Sequence, residues 1–137
     1  MAETFVLDSF AILALLSKEE GGEKVADLLQ RTRKGSIQTL MTWVNVGEVA
    51  YIVERRWGIG RVYQVLGNLE ATKVEIIPVE RELALTAAHI KAGHPLAYAD
   101  AFAAALALIE KGTLVTGDPE FKLLENSISI QWITGQT

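Results

Sequence analysis

The stretch TFVLDSFAILALL, residues 4–16, sets the terms for the rest of the chain. Thr4 to Leu7 reads as a short buried strand that ends at Asp8, and Phe10 to Leu16 reads as an apolar helix closed by Ser17 and Lys18. A carboxylate therefore stands at the junction, among apolar neighbours. Burying a charge there costs free energy unless something cationic meets it, and nothing basic lies beside it in sequence.

Outward from this unit, the same alternation repeats. Glu23 to Lys34 is amphipathic, with Val25, Leu28 and Leu29 on one stripe, a basic last turn (Arg31, Arg33, Lys34) and Gly35 as a stop. Ser36 to Met41 predicts a second strand, and Thr42 caps a helix that runs to about Trp57 and ends at Gly58. Ile59 to Leu69 carries Ile59, Val62, Leu66 and Leu69 on one stripe. Val74 to Ile77 predicts a third strand, stopped by Pro78. Glu80 to Ala92 is a further amphipathic helix, and Leu96 to Ile109 is apolar on nearly every side, as a buried helix would be. Thr113 to Thr116 predicts a fourth strand, Asp118-Pro119 a short helix start, and Ile128 to Ile133 a last strand. Strands alternating with helices imply a parallel sheet covered on both faces. The chain is expected to form one domain over residues 1–137.

In such sheets ligands bind beyond the carboxyl ends of the strands. Asp8 and Asp118 follow their strands directly, while Glu48 and Asp100 lie near the starts of helices that face the same edge. There are four aspartates in all, and only Asp27 sits in an ordinary charged amphipathic context. Asp8, Glu48, Asp100 and Asp118, far apart in the chain, can thus converge on one pocket. Carboxylates of this kind suit Mg²⁺ or Mn²⁺, which prefer hard oxygen ligands. One or two such ions can assist water attack on a phosphodiester and stabilise the leaving oxygen. No side chain is assigned as a general base.

Composition narrows the alternatives. The 137 residues are half hydrophobic and 22% charged, and there is no cysteine, so disulfides, thiol nucleophiles and cysteine-bound zinc are excluded. The net charge of −4 alone disfavours nucleic acid, but it comes to zero once the four acids are set aside as metal ligands. No apolar run approaches membrane-spanning length, and the first residues show no secretory pattern, so a cytoplasmic location is expected. A second aspartate two residues after Asp8, as a dehalogenase-type phosphatase needs, is replaced by Phe10. The acidic pair of a phospho-receiver and the glycine-rich turn of a dinucleotide fold are also missing.

Four segments in order, Phe5-Val-Leu-Asp8-Ser9, Asn45-Val-Gly-Glu48-Val, Tyr98-Ala-Asp100-Ala and Leu114-Val-Thr116-Gly117-Asp118, resemble the PIN-domain ribonucleases, and most of all the VapC-type toxins of toxin–antitoxin pairs. The resemblance extends over essentially the whole chain. It implies a PIN-like three-layer α/β/α sandwich with a central parallel sheet of about five strands, and a Mg²⁺- or Mn²⁺-dependent endoribonuclease. Asp8, Glu48 and Asp100 would be the core metal ligands and Asp118 would complete the site, with Thr116 and Ser9 in support. It also implies a homodimer, an RNA substrate and a small antitoxin protein that occupies the active site.

Plainer roles stand beside these. Asp8 and Asp118 both suit helix capping, and Pro119 suits a first helical position. Glu48 can be an exposed residue of a mostly buried helix. Arg55, Arg56 and Arg61, with Trp57 and Tyr63 nearby, can hold RNA phosphates and stack bases, or simply face solvent. Trp43 and Tyr51 are expected to serve the core, although an exposed aromatic here could line an antitoxin groove. His89 and His94 lack metal-ligand spacing and read as surface or packing residues. Two functional alternatives share the fold: an RNA-binding or assembly module without turnover, and a housekeeping RNA-processing nuclease.

Overall fold

The computed structural model describes residues 3–135. In chain order the elements are β1 (Thr4–Leu7), α1 (Ser9–Leu16), α2 (Gly22–Arg33), β2 (Gln38–Thr42), α3 (Trp43–Trp57), α4 (Ile59–Ala71), β3 (Glu75–Ile77), α5 (Arg81–Gly93), α6 (Tyr98–Glu110), β4 (Thr113–Thr116), a 3₁₀ helix (Pro119–Leu124) and β5 (Ser129–Trp132). The five strands pair in the order β3-β2-β1-β4-β5, and every pairing is parallel.

Alternation along each short strand divides the core into two layers. Phe5 and Leu7 of β1, Met41 of β2 and Val115 of β4 face α1, α2, α3 and α4, where Ile12, Leu28, Val49 and Val65 meet them. Val6, Leu40 and Leu114, aligned across the three central strands, face α5, α6 and the 3₁₀ helix, where Leu83, Phe102 and Phe121 close the second layer. Each large side chain withdrawn from water in this way contributes about 1.5–3 kcal/mol. The three-layer α/β/α architecture expected from the alternating pattern is the one observed.

Local chemistry sets the element ends. The Asp8 side chain accepts from the Ala11 amide and starts α1, and the Thr42 hydroxyl accepts from the Asn45 amide and starts α3. Gly58, at φ +88°, turns the chain from α3 into α4 in a conformation that side chains resist. Asp118 opens a 3₁₀ rather than an α-helix. Two expectations need correcting. Trp43 and Tyr51 do not serve the core: they are 51% and 50% exposed, because α3 buries the face bearing Val46, Val49 and Val53. The buried stripe of α4 is Val62, Val65 and Leu69, leaving Ile59 exposed.

All five strands end at one edge of the sheet. The chain passes from β1 to β2 and β3 on one side, then returns to lay β4 against the other side of β1. That reversal opens a crevice between the exits of β1 and β4. Among the described residues no single helix is long and apolar enough to cross a membrane.

A candidate acidic active site

Asp8 leaves β1 at this crevice and is only 1% exposed. One carboxylate oxygen accepts the Ala11 amide at 2.9 Å, and the other accepts a short hydrogen bond from the Thr116 hydroxyl at the end of β4. The Thr116 oxygen in turn accepts the Asp118 amide at 3.0 Å, so the two strand exits are stitched together. Asp118 starts the 3₁₀ helix by accepting the Glu120 amide at 2.9 Å. Asp8 and Asp118 therefore do act as caps, and they lie close enough for the Asp118 charge to act on Asp8.

Asp100 arrives from the first turn of α6, half-buried. Oxygens of Asp100, Asp118 and Glu120 lie within 4.8 Å of one another. Glu48, half-buried on α3, lies close enough for its charge to act on Asp100. Glu120 is not among the acids that stand out in the sequence. Its position two residues beyond a strand-end aspartate, in the first turn of the 3₁₀ helix, is the signal that could have found it. Asn45 was likewise seen only as part of a motif. It is buried, and its amide reaches Ala99 and Ser9. Ser9 itself makes no hydrogen bond to an acid: its hydroxyl bonds the Asn45 carbonyl at 3.3 Å.

The electrostatics follow from this crowding. Burial pushes the Asp8 carboxyl up to about 7. The Thr116 and Ala11 donors pull against that rise, and the charges of Asp100 and Asp118 add to it. Burial also raises Asp100 to about 7, assisted by the charges of Asp118, Glu48 and Glu120. Among the described residues the one ion pair is Arg31–Asp27 on α2, so no lysine or arginine neutralises the acid group. The donor set is all carboxylate oxygen. His94 is engaged with the Ile90 carbonyl and His89 is exposed, so neither contributes a softer ligand. Such a group fits a hard divalent cation; Asp100, Asp118 and Glu120 bring their oxygens within reach of a shared ion, while Asp8 and Glu48 lie outside that closest group.

A little further along α3, Tyr51 and Arg55 stack, with the guanidinium 5.5 Å from the ring centroid. Arg56 lies 5.9 Å from the Trp57 ring and donates to the Ser17 hydroxyl at 3.1 Å. Glu48, Tyr51 and Arg55 are spaced i, i+3 and i+7, so they share one helical face that leads away from the acids.

Fold and acid arrangement together define an α/β protein with an anionic crevice at the sheet's carboxyl edge. A family model, the PIN domain, matches residues 5–126, and the chain belongs to that family. A sequence comparison with curated proteins gives no match. Similar solved structures include DNA-bound VapBC from Salmonella typhimurium, with 20% identity, a TM-score of 0.71 and coverage of 96% of this chain and 98% of that one. A toxin–antitoxin complex from Klebsiella pneumoniae is 14% identical, with a TM-score of 0.68 and coverage of 92% and 94%. VapC20 of Mycobacterium tuberculosis, described as a sarcin-ricin loop cleaving toxin, is 16% identical, with a TM-score of 0.68 and coverage of 87% and 93%. At these identities the likeness is one of fold.

Proposed function

We propose that this PIN-domain protein is a divalent-metal-dependent endoribonuclease and the toxin of a toxin–antitoxin pair. One observation carries the reading: carboxylate oxygens of Asp100, Asp118 and Glu120 lie within 4.8 Å of one another, near enough to Asp8 and Glu48 for their charges to interact, and without a basic partner among the described residues. Membership of the PIN family supports a nuclease. The toxin–antitoxin complexes among the similar folds, and the RNA-cleaving description of one of them, support the toxin role and its RNA substrate.

A bound Mg²⁺ or Mn²⁺ would supply the positive charge that lets water attack the phosphodiester and lets the leaving oxygen depart. The chain's own residues do the rest. Asp8, Glu48, Asp100 and Asp118 would hold the cation, with Glu120 beside Asp100 and Asp118. Thr116 fixes the orientation of Asp8 and ties it to the Asp118 backbone. In the reaction a water oxygen bonds to phosphorus, the bond to the 3′-oxygen breaks, and that oxygen leaves with a proton. The Tyr51–Arg55 stack offers a ring and a guanidinium to RNA flanking the scissile phosphate. A small antitoxin would cover the acidic crevice, and the working form would be a cytoplasmic homodimer.

The test is direct. The purified protein should cleave RNA with Mg²⁺ or Mn²⁺ and stop with EDTA. Asp100→Asn should abolish cleavage while its circular dichroism spectrum and unfolding midpoint show a folded chain. RNA binding with no metal-dependent cleavage would overturn the reading in favour of a module without turnover.

A further inference from the structure

We propose that Asn45 is a positioning residue whose side-chain amide ties the helix starts bearing Asp8, Glu48 and Asp100 into one fixed spacing. The tie stands on geometry alone; the use of that spacing to hold a cation rests on the nuclease reading above.

Asn45 is the third residue of α3 and is 0% exposed. A buried amide is costly unless its polar atoms find partners, and here they all do. Its Oδ1 accepts the Thr42 hydroxyl at 2.6 Å, while its Nδ2 donates to the Ala99 carbonyl at 3.1 Å and to the Ser9 hydroxyl at 3.4 Å. The Ala99 carbonyl can only accept, which fixes the amide's orientation. Ser9 follows Asp8, Glu48 lies one turn along α3 from Asn45, and Ala99 precedes Asp100. One side chain therefore touches the neighbour of each of two acids and shares a helix face with the third.

The three helix starts differ in how they are held. Asp8 caps α1 and Thr42 caps α3, but Ala97 at the start of α6 offers no side-chain cap. The first turn of α6, which bears Asp100, is instead tied sideways to α3, through the Asn45 amide donating to the Ala99 carbonyl, a link that leaves its free amides uncapped. Burial of like-charged carboxylates pushes the helix starts apart, so a polar link between them opposes that strain without adding charge. Groups that orient ligands from behind are typically worth ~10–100-fold in metal affinity.

The experiment compares Asn45→Ala with Val46→Ala. Val46 is buried one residue on, in the layer that faces α1 and α4, so its truncation loosens the same turn without touching the amide link. Two readouts are taken well below the unfolding midpoint: Mn²⁺ affinity by calorimetry, and amide hydrogen exchange at Ala101 and Phe102 in metal-free protein. For Asn45→Ala, Mn²⁺ affinity should fall about tenfold or more, and exchange in the first turn of α6 should quicken by a similar factor while Ala105 is unchanged. Val46→Ala should leave both near wild type. If Asn45→Ala does not fold, Asn45→Ser keeps a polar group in the pocket but stops short of Ala99, and should give the same pair of changes. Unchanged first-turn exchange in the Asn45 variant, or equal changes in Val46→Ala, overturns the inference alone. A wild-type protein that takes up no Mn²⁺ overturns the nuclease reading and the inference's use of the spacing with it.

Discussion

Replacing Asp8 with asparagine should stabilise the metal-free protein at pH 8. Burial holds the Asp8 carboxyl near 7 in the fold, against 3.8 for a free side chain. That is about three units at 1.36 kcal/mol each, or about 4 kcal/mol lost by the folded state when the group is ionised. The sign follows from proton binding. The folded form binds the proton more tightly, so this group's stabilising contribution is complete below about pH 4 and is lost as pH rises through about 7. Asparagine keeps the cap, since its oxygen can accept the Ala11 amide as Asp8 does. Its amino group, however, would face the Thr116 hydroxyl, which already accepts the Asp118 amide. The hydroxyl proton then loses its acceptor, at about 1–2 kcal/mol. The net gain is about 2–3 kcal/mol at pH 8, vanishing or reversing at pH 4. Urea unfolding of both proteins in EDTA at the two pH values measures it. Asp8→Asn no more stable than wild type at pH 8, or equally stabilising at pH 4, would refute the account of a strained buried carboxylate. With saturating Mn²⁺ the order should invert, because a ligand that binds only the folded wild type adds to its stability.

Other perturbations report on separate parts of the site. Glu120→Gln should lower the Asp100 carboxyl toward its ordinary range, since the Glu120 charge is one of the causes of its rise, and should weaken Mn²⁺ binding several-fold; carbon NMR titration and calorimetry read these, and an unmoved Asp100 would place Glu120 outside the group. Gly117→Ala would drive a methyl into the Phe10 ring and to 2.8 Å from Thr134 Cγ2, so about 1–2 kcal/mol of stability should be lost in urea unfolding. Arg55→Ala should leave stability within about 0.5 kcal/mol but weaken single-stranded RNA binding in EDTA, with the slope of log affinity against log salt reduced by roughly 0.7; an unchanged slope would remove Arg55 from the RNA path.

Much of the fold was legible because burial leaves a local trace. Thr4–Leu7 and Thr113–Thr116 are largely β-branched or apolar runs too short for helices, with an aspartate directly after the first and, past Gly117, after the second, and the apolar residues of the segments between them largely keep helical spacing. The four acids proposed for the site stand out for the same reason, as charges set among apolar neighbours, and two of them, Asp100 and Asp118, come together in the structure. What failed was identity without direction. Trp43 and Tyr51 look like core residues by type, but the valine stripe of α3 turns them outward. Glu120 was hidden because an acid in a helix's first turn has a sufficient local explanation. The Asn45 link joins residues 54 apart in the chain, and no spacing along a single helix could announce it.

The strand order has a consequence for the chain as it leaves the ribosome. Until residues 113–120 have emerged, β1 is an edge strand with one side of its backbone unpaired, and Asp8 lacks the Thr116 hydroxyl that orients it. A truncated product ending within α6 would carry Asp8, Glu48 and Asp100 but lack Thr116, which orients Asp8, and Asp118 and Glu120, which lie beside Asp100. It would also present an apolar edge to its neighbours. On the nuclease reading, then, Asp8 gains its orientation only when β4 pairs with β1, and the same pairing covers the β1 edge.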